Sequence, residues 1–228
     1  MGTDDIFKKK REKLERRKKE LKDPTPNSFL IVSEGTKTEP YYFDGLAKYI
    51  NEKYGNGVDV EKPLIDTSGE GRCTVSLVEE TEKIVACSKI IYSQIWVVFD
   101  KDDFNDFDDA IELGKRKGYN IAWSNQSFEY WIYLHFNFSD SALHRDDWVK
   151  KLDTIFKDYK IDENGYEKNN FDIFNIATTK GSLKFAIQSA FRINDNYDSS
   201  QKPSQCDPCT NVHRLVLELE PYISELLL

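Results

Sequence analysis

The sequence predicts an α/β fold, a mostly parallel sheet flanked by helices with a helical elaboration toward the C-terminus. Three observations carry this. Short apolar runs alternate with amphipathic segments of helical spacing up to about residue 126. Two of the runs, Phe29–Val32 and Ile95–Phe99, are continuously apolar, as strands buried on both faces are. From Ser127 onward the patterns are helical.

The elements follow in order. Lys8–Lys22 reads as a helix of Lys, Arg, Glu and Leu, with Leu14 and Leu21 as its one thin apolar stripe. It is either a solvated helix docked by two leucines or a basic arm on phosphates, through Lys8, Lys9, Lys10, Arg11, Arg16 and Arg17. Asp23–Pro26 ends it, because proline removes a donor. Phe29–Ser33 is the first strand, and Glu39–Lys53 a helix that Pro40 can open. Val58–Asp66 reads as a second strand weakened by Pro63, and Ser68–Gly71 as a loop. Cys73–Cys87 is a helix, Gln94–Phe99 a strand, Phe107–Lys117 a helix ended by Gly118, and Tyr119–Trp123 a strand. Phe128–Phe136 is too apolar for a surface helix. Asp147–Tyr159, Leu183–Arg192 and Asn211–Leu228 complete the helices, and Asn194–Pro208 reads as a long loop. The organisation expected is a basic arm over 1–26, an α/β core over 27–126 and a helical part over 127–228 packed on that core.

Composition narrows the function. The net charge is -8, yet residues 1–22 carry +5 and the remainder -13. Such a chain meets nucleic acid only through a local basic arm, a metal or a partner. Charges begin at residue 4 and no run of eighteen apolar residues occurs, so we expect neither an export signal nor a membrane span, and a cytoplasmic protein. Four cysteines are too few for a disulfide scaffold in 228 residues. Cys206-x-x-Cys209 with His213 lacks a nearby fourth zinc ligand. No Gly-x-x-x-x-Gly-Lys phosphate loop occurs. His135 reads as a satisfied core or boundary histidine.

The chemistry lies at strand ends. In a parallel sheet the strand C-termini share one edge, and ligands bind in the crevice outside it. Glu34 ends the first strand; Asp100 ends the Gln94–Phe99 strand, with Asp102 two residues on. Gathered carboxylates repel one another, and a hard divalent cation, Mg²⁺ or Mn²⁺, resolves the conflict. Helix capping, for which Asp106 and Asn105 are placed, accounts for one such carboxylate but poorly for the set. Glu129 opens the apolar helix and faces the same edge or serves its dipole. Asn125 is placed to hydrogen-bond within its turn. Glu39 caps its helix or contacts metal. Lys101, Lys168 and Lys180 are candidates to stabilise a phosphorane, with charge balance or plain surface as the other readings, and Asp103 follows the Asp-x-Asp.

Strand-Glu-Gly followed by strand-Asp-x-Asp resembles the Toprim domain of topoisomerases, primases and OLD-type nucleases. IVSEGTKTEPYYFDGL, VVFDKDDF and WSNQSFEYWIYLHF together resemble the RloB-like family, described around AbiLii-type abortive-infection proteins. The resemblance implies a Toprim-like core and a metal-dependent nuclease in antiphage defence, working beside an ATPase. It implies Glu34 as acid/base or metal contact, Asp100 and Asp102 as Mg²⁺ ligands, and roles for Glu129 and Lys168. The substrate class it implies is nucleic acid, DNA or RNA including tRNA. The other function class is a non-catalytic, metal-containing binding or sensor module. Self-association is left open by the sequence.

Overall fold

The computed structural model describes residues 25–54, 64–70, 74–101, 105–198 and 200–228. The basic arm lies outside these, as do Asp102 and Asp103.

Strand β1 (Thr25–Ser33) is joined by helix α1 (Thr38–Tyr54) to β2 (Leu64–Gly69), and by α2 (Thr74–Cys87) onward to β3 (Tyr92–Asp100). Helix α3 (Phe107–Arg116) leads to β4 (Asn120–Asn125), followed by α4 (Phe128–Leu134), α5 (Arg145–Asp158), α6 (Ile173–Thr179) and α7 (Leu183–Asn194). A two-residue β5 (Cys209–Thr210) precedes α8 (Val212–Glu218) and α9 (Glu220–Ile223). The sheet order is β2-β1-β3-β4-β5, parallel except for the antiparallel β5. The α/β expectation therefore holds. The C-terminal part is more than helical, because it supplies β5.

Both faces of the sheet are covered, which is why β1 and β3 are apolar without alternation. Phe29, Ile31, Trp96, Val98 and Ala122 face the layer built from α1 and the helices after residue 127. Leu30, Val32, Val97, Phe99, Ile121 and Trp123 face α2 and α3. The chain leaves β1 over one face and returns to β3 over the other. The order of strands thus reverses between β1 and β3, and a crevice opens there at their carboxyl ends.

Helix α4 is the hub of the thicker layer: all seven of its residues are buried. Tyr42 of α1 meets Phe128 and Trp131 edge-on, with ring centroids 5.5 and 6.4 Å apart. His135 is a satisfied core histidine, between the Tyr42 hydroxyl at 3.1 Å and the Trp131 carbonyl at 3.0 Å. Burial lowers its pKa to about 4 and keeps it neutral.

Several boundaries differ from expectation. The second strand is Leu64–Gly69, so Ser68 and Gly69 belong to it rather than to a loop, and 55–63 lie outside the described residues. The last helix breaks into α8, α9 and a 3₁₀ turn at Ser224–Leu227; Pro221 cannot donate into the preceding turn. Helix α6 was not expected, being short and only weakly periodic. Asp106 caps, but not its own helix: its carboxylate accepts the Val75 N–H of α2 at 3.0 Å. Among the described residues no helix is long and apolar enough to cross a membrane.

Strand β5 exists because side chains hold it. The Ser124 and Thr210 hydroxyls lie 2.9 Å apart. The Asn211 amide then acts as a further rung, accepting from Trp123 N–H at 2.5 Å and donating to the Ile121 carbonyl at 3.0 Å. Asn211→Ala leaves these buried backbone groups unpartnered. We expect it to destabilise the fold by about 2 kcal/mol, read as a lower urea midpoint at unchanged slope.

Candidate active site

The crevice between β1 and β3 is where the carboxylates gather. The Glu34 N–H donates to the Val98 carbonyl at 2.9 Å, extending the β1–β3 pairing one residue past Ser33. Its Oε2 accepts the Asp100 N–H at 3.3 Å. The backbone thus aims Glu34 across the end of β3. Asp100 reaches the other way, and its Oδ2 accepts the Phe128 N–H at 3.0 Å, at the start of α4. Its Oδ1 is buried and has no hydrogen-bond partner among the described residues.

Helix α4 brings in Glu129, which is 2% exposed. Glu129 Oε1 accepts from the Tyr166 hydroxyl at 3.2 Å and pairs with Lys168 Nζ at 3.3 Å. The Thr38 hydroxyl lies 3.3 Å from the same oxygen and 3.2 Å from the Lys168 carbonyl. One buried carboxylate thereby ties α4, the start of α1 and the α5–α6 loop together. The Lys168 side chain stays 53% exposed, so its charge sits at the mouth.

Glu39, in the first turn of α1, folds its carboxylate back over Gly35. A β-carbon at position 35 would overlap that carboxylate, so the Glu-Gly sequence is a matter of space. Glu39 is buried, and its pKa is pushed up to about 7, first by desolvation and then by the charge of Glu129; its own backbone N–H and Lys168 act the other way. Asp100 is raised well above the usual carboxylate range by burial, then by Glu39, Glu129 and Glu34, against the opposing Phe128 N–H. A cavity of about 220 Å³ opens between the Gly35–Glu39 turn, Asp100, Glu129 and Lys168.

The structure thus brings together Glu34, Glu39, Asp100, Glu129 and Lys168, which lie up to 134 residues apart in sequence. Lys101 is not part of the cavity: its backbone N–H pairs with Ser124, and its charge acts on Asp207. Asn125 does not bond within its turn, because its amide donates to the Cys206 carbonyl at 2.9 Å. Cys206 and Cys209 are buried free thiols, and His213 packs on Phe191 with ring centroids 4.5 Å apart. Tyr166 joins the site through space: its hydroxyl donates to a carboxylate 37 residues away, and its ring packs edge-on against Phe156.

Among the described residues no three His, Cys, Asp or Glu side chains are already gathered into a metal-holding group. The donor chemistry nevertheless fits a hard cation. Mg²⁺ keeps several waters and needs only one or two protein carboxylates. The unpartnered Asp100 Oδ1 and the mutual repulsion around it are what a cation would relieve.

No curated protein and no solved structure is matched by this chain. The family described as RloB-like protein matches residues 29–219, a span that takes in every residue of the cavity. The chain belongs to the RloB-like protein family.

Proposed function

We propose that this protein is a Mg²⁺- or Mn²⁺-dependent nuclease of Toprim type, hydrolysing phosphodiesters in antiphage, abortive-infection defence. The observation that carries the reading is the meeting of Glu34, Glu39 and Asp100 at the β1/β3 switch point, with a buried Asp100 oxygen left unpartnered. Asp100, Glu34 and Glu39 are the residues that would hold the ion, together with Asp102 from the family motif. When bound, such an ion polarises the phosphate and lowers the pKa of the attacking water.

The remaining work falls to the chain itself. Lys168, fixed by Glu129 and half-exposed at the mouth, meets the non-bridging oxygens of an incoming phosphate. Glu129 is locked by Tyr166 and Thr38, so it positions Lys168 and takes no proton from water. Glu34, only partly buried, is the group placed to move a proton at the crevice. The substrate is nucleic acid, DNA or RNA including tRNA. The basic arm with Lys8, Lys9, Lys10, Arg11, Arg16 and Arg17 offsets the acidic body, and an ATPase acts as partner in the cytoplasm.

A second reading is a metal-containing binding or sensor module without catalysis. The net charge of -13 beyond residue 22 favours it, because that surface repels phosphates. Cleavage of mixed DNA and RNA, with Mg²⁺, Mn²⁺ or EDTA and with or without the ATPase, separates the two. We expect metal-dependent cutting that falls on the order of 10³-fold in Glu34→Gln. Metal binding by calorimetry with no cutting under any condition would establish the binding module instead.

A further inference from the structure

A groove runs along α1 beyond the turn that carries Glu39, where α6 packs beside it. Gly45, Tyr49 and Glu52 follow one another at helical spacing on α1, and Phe171, Phe174 and Thr178 do so through the turn into α6. A β-carbon at Gly45 would overlap Phe174, so glycine is what lets the two helices close at that point. The groove encloses about 420 Å³. Tyr49 and Phe174 form its floor, with ring centroids 6.3 Å apart, and Leu226 adds to its wall. Phe171 stands on its rim 80% exposed, more than any other described aromatic residue. Aromatic surface left open beside a groove marks a contact surface.

The charge on the groove is one-sided. Asp44, Glu52 and Asp172 line it against Lys48, which lies 3.9 Å from Glu52. The sequence ahead of β1 has the complementary pattern. Leu14 and Leu21 are seven residues apart, about 10.5 Å on a helix, and Gly45 to Glu52 is the same interval. Lys10, Arg11, Arg17 and Lys18, the neighbours of Leu14 three and four residues away on either side, are all basic. Arg17 and Lys18 stand in the same relation to Leu21. Direction agrees as well. Helix α1 crosses back between the parallel strands β1 and β2, so its Glu52 end lies at the level where β1 begins. Thr25 follows Leu21 by four residues, up to about 14 Å of extended chain.

We propose that this groove receives the chain's own N-terminal segment, Lys8–Lys22, as an amphipathic helix laid into a groove. Leu14 and Leu21 pack on Tyr49, Phe171 and Phe174, with Leu21 toward Glu52 and Leu14 toward Gly45. The flanking cations face Asp44, Glu52 and Asp172. Docking takes both leucines and the Phe171 ring out of water. While docked, the segment's cations meet carboxylates in place of phosphates; that consequence rests on the nuclease reading, and the docking itself does not.

The test is limited trypsin digestion of the full-length protein, with cleavage inside residues 1–22 followed by mass spectrometry. Cleavage there tracks the fraction of time the segment is released. We expect Leu14→Ser combined with Leu21→Ser to speed it about tenfold or more, and Phe171→Ser, at an exposed position, about tenfold. Joining the leucine and Phe171 changes in one protein should add little, since both break the same contact. Asp44→Asn combined with Glu52→Gln should speed cleavage about threefold. Tyr159→Ser, at an exposed aromatic outside the groove, should leave it unchanged. Unchanged cleavage in the leucine, Phe171 or carboxylate variant would overturn the proposal. So would fully additive effects, or an equal effect in Tyr159→Ser. Protection that weakens on dilution would place a second copy's segment in the groove and overturn it too.

Discussion

We expect Asp100→Asn to cut the proposed metal-dependent cleavage on the order of 10³-fold in rate, with a matching loss of Mn²⁺ binding, while leaving the fold intact. The side chain fills the same space, and its carbonyl oxygen can still accept the Phe128 N–H that Asp100 Oδ2 accepts at 3.0 Å. The start of α4, and with it Glu129 and Lys168, keeps its place. What disappears is the negative charge on the buried, unpartnered oxygen. Without metal that charge is a burden, since desolvation and then Glu39, Glu129 and Glu34 all disfavour it. The metal-free variant should therefore be at least as stable as wild type in urea titrations at pH 8. Lost activity with a lost fold would mean that Asp100 is a structural pin; lost activity with retained stability identifies a ligand. Calorimetry with Mn²⁺ provides a readout apart from turnover. Unchanged binding would move the ion elsewhere in the crevice.

The second large effect concerns Glu39 and stability. Its pKa rises from 4.5 to about 7 on folding, so between those values the native state holds a proton that the unfolded chain has released. Stability is then highest below pH 4.5, falls as the pH rises through 7, and levels off above. A shift of this size corresponds to about 3 kcal/mol. In Glu39→Gln that loss is absent. We expect the variant to gain about 3 kcal/mol relative to wild type between pH 4.5 and pH 8, with EDTA present throughout. A pH-independent difference between the two proteins would show that Glu39 is solvated in the native state. Added Mn²⁺ should narrow the gap at pH 8, because a cation stabilises the ionised carboxylate in wild type alone.

Much of the fold was legible in the residues because local rules and the tertiary solution agree. Ile95–Phe99 is apolar at every position, which only a strand covered on both faces requires, and it became the middle of β3. Phe128–Leu134 is apolar all round and became the buried hub. Less could be read where structure depends on distant partners. Strand β5 has two residues and no propensity worth the name; the Ser124 hydroxyl and the Trp123 and Ile121 backbone, 86 and more residues away, hold Thr210 and the adjoining Asn211 amide in place. Asp106 sits at a capping position yet caps another helix, a choice made by packing of α2 against α3.

The alternation of strands and helices, the apolar faces, and the placing of Glu34 and Asp100 at the ends of strands follow from the residues alone. Those are consequences of periodicity and of where an apolar run stops. Only the tertiary structure decided that β1 and β3 are neighbours with the chain reversing between them, which turns two separate strand ends into one crevice. It also decided that Glu39 folds over Gly35, that Tyr166 joins Glu129, and that Lys168 stands at the mouth while Lys101 does not. The physical reason is that charge and hydrogen bonding act over a few ångströms of space. Their partners here come from α1, α4 and the α5–α6 loop, and no local pattern in the chain records that distance.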